Sequence, residues 1–471
     1  MKTLSYILPS NNVPITLDLY EAERYAPAVI VQQLVGNLVY YSNDGRYEPR
    51  ISESWQRVST TQWDFKIKKG FTCENGELIT PSSFRLSLIR SLRAAAKKGN
   101  IPVFNKLKGF NEMLGDENND FKGIEATSDT ISFHFTEATR SGPLQLLSFA
   151  PFGYICEENL NPDLSWKDKT KFISSGPYKV EKIDIGNEYI LAKRIEWPGF
   201  ASDSPDKIVI THKIPQTEED VKPYTIIDSL TGVKNIPSNL KNYRLVPEYL
   251  IAISLGNLQD GFFASLENRQ ALNHAIQEIK ETVYKNRNNN SYSSFFYPSQ
   301  KRVKAPISSF KINMPEKVII IEGKIPEKNS PKYAAYEFIT AAFDLLQWKY
   351  QMNDNDFTWK DYSNQRYDVR ILAPSIGNGV EAWGIDVIFF SSVGVNFPDP
   401  SGRVKKMLTE YENDKLSDQG LTDQFLAAVD EDSAILPISH FGLQWYISSG
   451  INTNSISPLI SIVKFDQVEL E

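Results

Sequence analysis

Alternation between apolar and polar residues marks several β-strands in this chain. Residues 63–68 and residues 130–135 each carry an apolar side chain at every second position. Successive side chains of a strand point to opposite faces, so this period of two predicts strands with one buried face. Residues 317–321 contain a continuous apolar run instead, which predicts a strand buried inside the protein.

A helix is predicted to begin just after Thr80. Threonine is favoured as an N-cap, and Pro81 suits the first helical position because its backbone is already restricted to helical φ angles. Phe84, Leu88 and Leu92 then recur at helical spacing on one face. The pattern predicts an amphipathic helix with that face buried.

Strands and helices also alternate in the second half of the chain. Residues 333–348 predict a helix between the strand at 317–321 and a strand that opens at 349–352, which is a strand–helix–strand unit. Residues 265–279 predict another helix, with an inner face made of Ala271, Leu272, Ala275 and Ile276. This interleaving indicates an α/β or α+β protein.

The composition is that of a large globular protein. The 471 residues are 41% hydrophobic and 23% charged, so the chain can form about two to four folded domains and is not disordered. Lys and Arg number 51 against 58 Asp and Glu, which gives a net charge of −7. Nucleic acids and anionic membranes attract clustered basic surface, so we expect neither as a partner.

Neither a membrane span nor a targeting segment is visible in the sequence. No apolar run approaches the ~20 residues needed to cross a bilayer. The first residues include a lysine but lack the apolar core and cleavage site of a signal peptide. The sequence therefore predicts a protein that is either cytoplasmic or exported with its signal already removed.

Cys73 and Cys156 leave the redox state of the protein open. Two cysteines are too few for a disulfide framework, and their spacing fits no zinc-binding pattern. A single bridge between them is possible if the protein is exported.

Catalytic motifs are not apparent in the sequence. The four histidines form no HExxH pair, and there is no GxSxG elbow, Walker loop or GxGxxG turn after a strand. His134 lies in an alternating strand and is interpreted as structural. We therefore predict that the protein is not an enzyme and that it has no catalytic residue, metal or cofactor.

Several short motifs occur in a characteristic order along nearly the whole chain. They are Leu17-Asp18-Leu19, the helix from Tyr25 to Leu38, Ile51-Ser52-Glu53-Ser54-Trp55, Phe65 to Phe71, Ser175-Gly176-Pro177-Tyr178, Arg269-Gln270-Ala271-Leu272 and Ile435-Leu436-Pro437-Ile438. In order and spacing the chain resembles the family 5 solute-binding proteins of bacterial ABC transporters, the peptide- and nickel-binding group. The resemblance runs from about Leu4 to about Val468.

The resemblance implies a two-lobed, periplasmic-binding-protein-like α/β fold with a hinged cleft. The first lobe would comprise residues 1–46, 170–250 and 440–471, with an extra subdomain at 47–169. The second lobe would comprise residues 251–439. Two connecting strands would form the hinge, and the lobes would close on a ligand between them.

The function implied by the resemblance is solute capture for an ABC importer. The protein would close on a peptide-like or other small solute and deliver it to the transmembrane permease subunits, acting as a monomer. It would be periplasmic, or anchored at the cell surface, once its signal is removed. The alternative is a cytoplasmic ligand-sensing effector domain of the same fold, which the lack of a signal peptide at Met1 would favour.

One departure from the family pattern bears on the ligand. Peptide-binding members carry a tryptophan and an aspartate in a second-lobe segment, and the aspartate takes the ammonium group of the peptide. In the register that starts at residue 367, which we prefer, Pro374 and Gly377 occupy these positions; in the alternative register, Val393 and Asn396 do. An ammonium group buried without a carboxylate is costly, so we expect that free di- and tripeptides bind poorly.

The candidate ligand-binding residues follow from the same resemblance. Nickel-binding members present a tyrosine at the start of the first helix, where Tyr25 stands. Near the second-lobe segment, the groups that could contact a neutral or anionic ligand, or substitute for the missing acid, include Glu381 and Trp383. The full candidate set is Tyr25, Phe149, Arg370, Ser375, Asn378, Glu381 and Trp383.

Overall fold

The computed structural model divides into two compact units. Unit 1 comprises Met1–Val246 and Leu443–Glu471, and unit 2 comprises Pro247–Gly442. The structure describes residues 1–8, 17–19, 25–97, 103–115, 121–140, 143–168, 170–184, 187–229, 236–245, 249–282, 312–328, 330–354, 366–375, 382–390, 395–442, 444–457 and 462–471.

The described strands are, in chain order, β1 (Thr3–Ile7), β2 (Val39–Tyr41), β3 (Tyr47–Pro49), β4 (Ser52–Ser59), β5 (Gln62–Ile67), β6 (Ile124–Ala126), β7 (Thr130–His134), β8 (Tyr178–Asp184), β9 (Glu188–Lys193), β10 (Lys207–Thr211), β11 (Thr225–Ser229), β12 (Lys241–Arg244), β13 (Tyr249–Leu255), β14 (Ile319–Glu322), β15 (Tyr350–Asn353), β16 (Val369–Leu372), β17 (Ile435–Phe441) and β18 (Gln444–Ile447). The described α-helices are α1 (Tyr25–Leu34), α2 (Pro81–Ala96), α3 (Phe110–Gly115), α4 (Leu144–Leu147), α5 (Leu266–Thr282), α6 (Tyr333–Leu346), α7 (Ala382–Phe390), α8 (Arg403–Glu412) and α9 (Asp418–Asp432).

A seven-stranded mixed sheet forms the centre of unit 1. Its strand order is β12-β18-β11-β1-β10-β9-β8, and β1 lies parallel to both β10 and β11. Both ends of the chain contribute to it, because β1 follows the first residues and β18 lies in the last part of the sequence. Hydrophobic side chains such as Tyr6, Ile208 and Ile226 are fully buried along these strands.

A second, antiparallel sheet of unit 1 has the order β4-β5-β7-β6 and carries helix α2. The strands predicted at 63–68 and 130–135 are confirmed as β5 and β7, and their Phe65 and Phe133 rings meet edge to face with centroids 5.4 Å apart. The predicted face of α2 is confirmed as well, since Phe84, Leu88 and Leu92 are fully buried.

The start of α2 is fixed by reciprocal hydrogen bonds. The Thr80 side chain accepts a bond from the Ser83 backbone N–H (3.1 Å), and the Ser83 hydroxyl accepts one from the Thr80 backbone N–H (2.9 Å). Two of the N–H groups that a helix start leaves without partners are thereby satisfied. The predicted cap at Thr80 and the role of Pro81 at the first turn are confirmed.

Unit 2 is built on a five-stranded sheet with helices on both faces. The order is β15-β14-β16-β13-β17; β14 runs parallel to β15 and β16, and β13 is antiparallel to β16 and β17. Side chains of α5 and α6 pack with Ile251 and Ile253 on one face. Side chains of α7, α8 and α9 pack with Leu250 and Ala252 on the other. The interior strand β13 is therefore buried on both sides.

The strand–helix–strand unit predicted around residues 317–352 is confirmed as β14, α6 and β15. Helix α6 is followed by Gln347, which takes the left-handed backbone conformation typical of a helix terminus (φ 57°). The predicted helix at 265–279 is confirmed as α5, with Ala271, Leu272, Ala275 and Ile276 fully buried.

Strands β13 and β17 lie beside each other where the chain enters and leaves unit 2. Tyr249 at the start of β13 pairs with Phe441 at the end of β17. Because the two strands are hydrogen-bonded along their length, both belong to unit 2 as a whole, and its boundaries fall at 246/247 and 442/443. The predicted lobe boundaries, 250/251 and 439/440, cut into these strands.

Cys73 and Cys156 form a disulfide bond, which resolves the alternative that the sequence left open. Their Cα atoms are 6.2 Å apart and both side chains are buried in unit 1. The bridge joins the loop after β5 to the segment before residue 157. In the part of the chain that the structure describes, no helix has both the length and the apolar character needed to cross a membrane.

Candidate ligand-binding site

The topology of unit 2 creates a switch point between β14 and β16. These strands are parallel neighbours, but the next helices along the chain lie on opposite faces of the sheet: α6 follows β14 on one face, and α7 follows β16 on the other. Chain segments that leave in opposite directions open a crevice at the carboxyl ends of such strands, and α/β proteins bind ligands there. The residues at these strand ends are therefore the candidate site within unit 2.

A buried ion pair lies between these strands, at the carboxyl end of β14. The Arg370 Nε–H donates to the Glu322 Oε2 atom at 3.0 Å, and Arg370 Nη2 lies 2.9 Å from the same oxygen as an ion-pair contact. Glu322 is the last residue of β14, and the register of the two strands sets it directly beside Arg370. The side chains are 5% and 17% exposed, so both charges are largely shielded from water and each compensates the other.

Tyr367 and Ser254 support the guanidinium from within the unit. The carbon at the centre of the Arg370 guanidinium lies 3.9 Å from the centroid of the Tyr367 ring. The Tyr367 hydroxyl and the Ser254 hydroxyl are 2.7 Å apart and share a hydrogen bond. Burial raises the pKa of Tyr367 above its usual value, which keeps the hydroxyl neutral. Stacking and pairing together hold Arg370 in one orientation.

Glu322 keeps one oxygen atom for another partner. Arg370 contacts Glu322 through Oε2, and among the described residues no hydrogen bond to Oε1 is seen. The pair as a whole is neutral. It can therefore accept a hydrogen bond from an N–H or O–H group without attracting a full positive or negative charge.

Ser375 lies at the same end of the sheet. It follows β16, is exposed, and forms an isolated backbone bridge with Tyr249, while the Leu250 N–H donates to the Pro374 carbonyl at 3.0 Å. The Tyr249 ring stacks on Phe441 with centroids 4.9 Å apart. These contacts continue the sheet beyond the end of β16 and fix the position of Ser375.

Of the candidates predicted in unit 1, Phe149 is the one whose side chain the structure describes. It is 37% exposed, and its carbonyl accepts a hydrogen bond from the Asn37 side chain at 2.7 Å. Asn37 also donates to the Leu147 carbonyl, and Gln32 accepts from the Ala150 N–H. The buried side-chain amides of Gln32 and Asn37 thus hold in place the segment that carries the exposed Phe149 ring.

The remaining candidates are only partly placed. Tyr25 is the first residue of α1 and Trp383 lies in α7, but both side chains fall outside the described part of the chain. Asn378 and Glu381 lie outside the described residues altogether. Arg370 and Ser375 both lie in unit 2, in β16 and just after it, whereas Phe149 belongs to unit 1. Ligand contact by any of the seven stays a prediction.

Sequence reasoning missed Glu322, Tyr367 and Ser254 as parts of the site. One signal was available for Glu322, an acidic residue that ends the apolar run Ile319-Ile320-Ile321. Polar residues at the carboxyl end of a buried parallel strand are candidates for binding. The two others carry no local signal, because their roles depend on strands that meet only in the folded unit.

Comparison with known proteins identifies the family. A family model described as "Bacterial extracellular solute-binding proteins, family 5 Middle" matches residues 46–318, more than half of the chain. The chain belongs to this family. The membership that its motifs predicted is confirmed.

Solved structures share the family 5 fold over the whole chain. Three of them are NikA from Brucella suis in complex with Fe(III)-EDTA (14% identity, TM-score 0.71, 100% of each chain covered), Haemophilus influenzae OppA in complex with RPPGFSPFR (14%, 0.68, 100% of this chain and 99% of that chain) and the Escherichia coli murein tripeptide binding protein MppA (13%, 0.66, 100% and 98%). No curated protein sequence matches the chain significantly. At these identities the likeness establishes the fold, and the predicted periplasmic-binding-protein-like architecture is confirmed.

Proposed function

We propose that this family 5 protein captures a peptide-like or other small solute outside the cytoplasm and delivers it to the permease of an ABC importer. Family membership is the observation that carries the proposal, since the family is one of extracellular solute-binding proteins. Two proteins of the same fold form complexes with a nine-residue peptide and with Fe(III)-EDTA. Ligands of such different chemistry share one fold, so the solute depends on the side chains of this chain.

Capture would proceed by closure of two lobes about a hinge. The chain crosses between the units at 246/247 and at 442/443. Within unit 2 the adjoining residues Tyr249 and Phe441 are paired neighbours, so the two crossings begin side by side. Two adjacent crossings can act as a hinge, as in domain closure around a ligand. A ligand would shift the open and closed populations by the difference in its affinity for the two states.

We propose that the part of the solute that contacts unit 2 carries no charge. Glu322 is bound by Arg370, so an ammonium group there would face a carboxylate that is already compensated and a guanidinium of the same sign. A carboxylate would meet an equally compensated Arg370. Amide or hydroxyl groups match the remaining acceptor on Glu322 and the exposed Ser375 without breaking the pair.

The further binding residues in this proposal are Phe149 and Tyr25 in unit 1 and, from unit 2, Asn378, Glu381 and Trp383. Phe149 offers an exposed ring fixed in position by Asn37. Aromatic rings and a few placed polar groups are the usual lining of ligand sites.

Export rather than a cytoplasmic role is part of the proposal. The Cys73–Cys156 disulfide fits an oxidising compartment and is unusual in the cytoplasm. The family is extracellular, and the alternative of a cytoplasmic sensor gains no support from it. We further propose that the protein acts as a monomer and does not turn over its solute.

Calorimetry with matched peptides tests the solute class directly. The panel contains di-, tri- and pentapeptides, each with a free and an acetylated amino terminus. We expect weak binding of the free di- and tripeptides, and no loss of affinity when the amino terminus of any bound peptide is acetylated. Micromolar binding that acetylation abolishes would show that a carboxylate reads the ammonium group, and would overturn the proposed neutral end.

A further inference from the structure

Three side chains that ligate metals meet at the disulfide of unit 1. The Cys73 and Cys156 sulfur atoms and a carboxylate oxygen of Glu77 all lie within 4.8 Å of one another. Both cysteines are buried, and Glu77 is half-buried. The cluster is separate from the candidate ligand-binding residues of unit 2.

A tight turn brings Glu77 back to Cys73. The Cys73 N–H donates to the Glu77 carbonyl at 2.8 Å, and the Gly76 N–H donates to the Cys73 carbonyl at 3.0 Å. Gly76 has a φ angle of 89°, in the left-handed region that favours glycine. The turn therefore sets the two side chains on neighbouring backbone positions across a short loop.

The Glu77 carboxylate is held in place by groups outside the cluster. The Tyr154 hydroxyl donates to Oε1, and the Glu157 N–H donates to Oε2 at 3.0 Å. Both donors flank Cys156 in sequence, so the segment that supplies the second sulfur also orients the carboxylate. Such hydrogen bonds to a ligating group are typical of metal sites and raise their affinity.

We propose that Cys73, Cys156 and Glu77 form a site for a thiophilic divalent cation, such as Zn²⁺, when the disulfide is reduced. Reduction by an external thiol or phosphine supplies two electrons and converts the bridge to two thiols. Zn²⁺ then displaces two protons and binds two thiolates and one carboxylate, which leaves a fourth position for water. Two sulfur ligands favour zinc over magnesium or calcium.

The site would make metal binding and disulfide formation mutually exclusive. Thiolates bound to Zn²⁺ are poor nucleophiles toward an oxidant, so a bound ion delays closure of the bridge. An oxidised chain lacks both sulfur ligands. This inference does not depend on the solute or on the proposed function of the cleft.

Zinc titration of the reduced and oxidised proteins tests the proposal. The full chain is reduced, freed of reductant without oxygen, checked for its fold by circular dichroism, and titrated with Zn²⁺ against a chromophoric chelator. We expect about one equivalent bound by the folded reduced protein and none by the oxidised protein. Glu77→Gln should lower the affinity of the reduced protein about tenfold or more. Glu158→Gln is the matched control and should leave the affinity unchanged, because Glu158 is an exposed acid two residues after Cys156 that accepts a hydrogen bond from Asn75.

The rate of reoxidation gives a second readout. With glutathione disulfide as oxidant, Zn²⁺ should slow bridge formation in the wild type and in Glu158→Gln, and slow it much less in Glu77→Gln. Three results would overturn the proposal: no zinc binding by the reduced protein, equal affinity of Glu77→Gln and the wild type, or loss of the fold on reduction.

Discussion

At the scale of single residues, the Arg370–Glu322 pair affects both the stability of unit 2 and the chemistry of its candidate site. It lies between two parallel strands, at the carboxyl end of β14 and beside the first residues of β16, with little access to water. Breaking a buried ion pair leaves an uncompensated charge, whereas an exposed pair contributes little. The pair is thus a structural element of the sheet as well as part of the candidate site.

Glu322→Gln should destabilise the protein by about 3–5 kcal/mol, because the buried Arg370 loses its counter-charge. Urea denaturation followed by circular dichroism measures the change. Glu53→Gln is the matched control: Glu53 pairs with Lys66 at 3.0 Å, but both side chains are about half exposed. We expect little or no measurable loss for the control, because water screens an exposed pair. Equal losses for the two variants would contradict the structural role of the buried pair.

Lys464 provides a prediction about pH. Desolvation, and then the charge of Arg50, lowers the pKa of Lys464 to about 7 from its usual value of 10.5. Between these two pH values the unfolded chain holds a proton that the folded chain has released. The free energy of unfolding should therefore rise as the pH rises from 7 toward 10.5.

Lys464→Met should remove this contribution, since the variant has no group to titrate at that position. Urea midpoints at pH 6, 7, 8 and 9 measure the effect, and the difference between variant and wild type should change across that series. Lys171→Met, at a side chain that is 82% exposed, is the control. A constant difference between Lys464→Met and the wild type at all four pH values would contradict the lowered pKa.

At the scale of elements, the sequence predicts what local contacts determine. The start of α2 depends on Thr80 and Ser83, three positions apart, and the buried face of α2 follows from spacing alone. The β14–α6–β15 unit is likewise visible as three consecutive patterns. The Arg370–Glu322 contact spans 48 positions and exists only because β14 and β16 are neighbours. The periodicity of a strand does not show which other strand lies beside it in the sheet.

The cap of α2 should be worth about 1 kcal/mol of stability. Thr80→Ala removes the acceptor for the Ser83 N–H and leaves a helix-start donor without a protein partner. Urea denaturation measures the loss. Ser417→Ala, which removes the comparable cap of α9, provides an internal standard, because the Ser417 hydroxyl accepts from the Gly420 N–H at 3.0 Å. No loss for Thr80→Ala beside a clear loss for Ser417→Ala would contradict the role of the cap.

At the scale of the whole molecule, the order of motifs was enough to predict the family and the two-lobed fold. The same motifs could not predict the solute. The side chains of the candidate site come from distant segments, Ser254, Glu322 and Tyr367 among them, and each is oriented by a neighbour that only folding supplies. The pairing of Cys73 with Cys156 was open for the same reason.

The disulfide should stabilise the folded protein by roughly 2–5 kcal/mol, because it closes a long loop and restricts the unfolded chain. The sequence separation of its cysteines is 83. Thermal unfolding of the wild type with and without reductant measures this contribution. The double variant Cys73→Ser/Cys156→Ser should unfold at a lower temperature and show no further response to reductant. An unchanged midpoint for the reduced wild type would contradict the prediction.

Closure of the molecule on its solute is the central claim, and small-angle X-ray scattering tests it most directly. The solute is first identified by mass spectrometry of the small molecules released when the purified protein is denatured. The stripped and refolded protein is then measured without solute and at saturation, which calorimetry establishes. Closure predicts a smaller radius of gyration for the saturated protein. An unchanged radius of gyration at proven saturation would contradict the account.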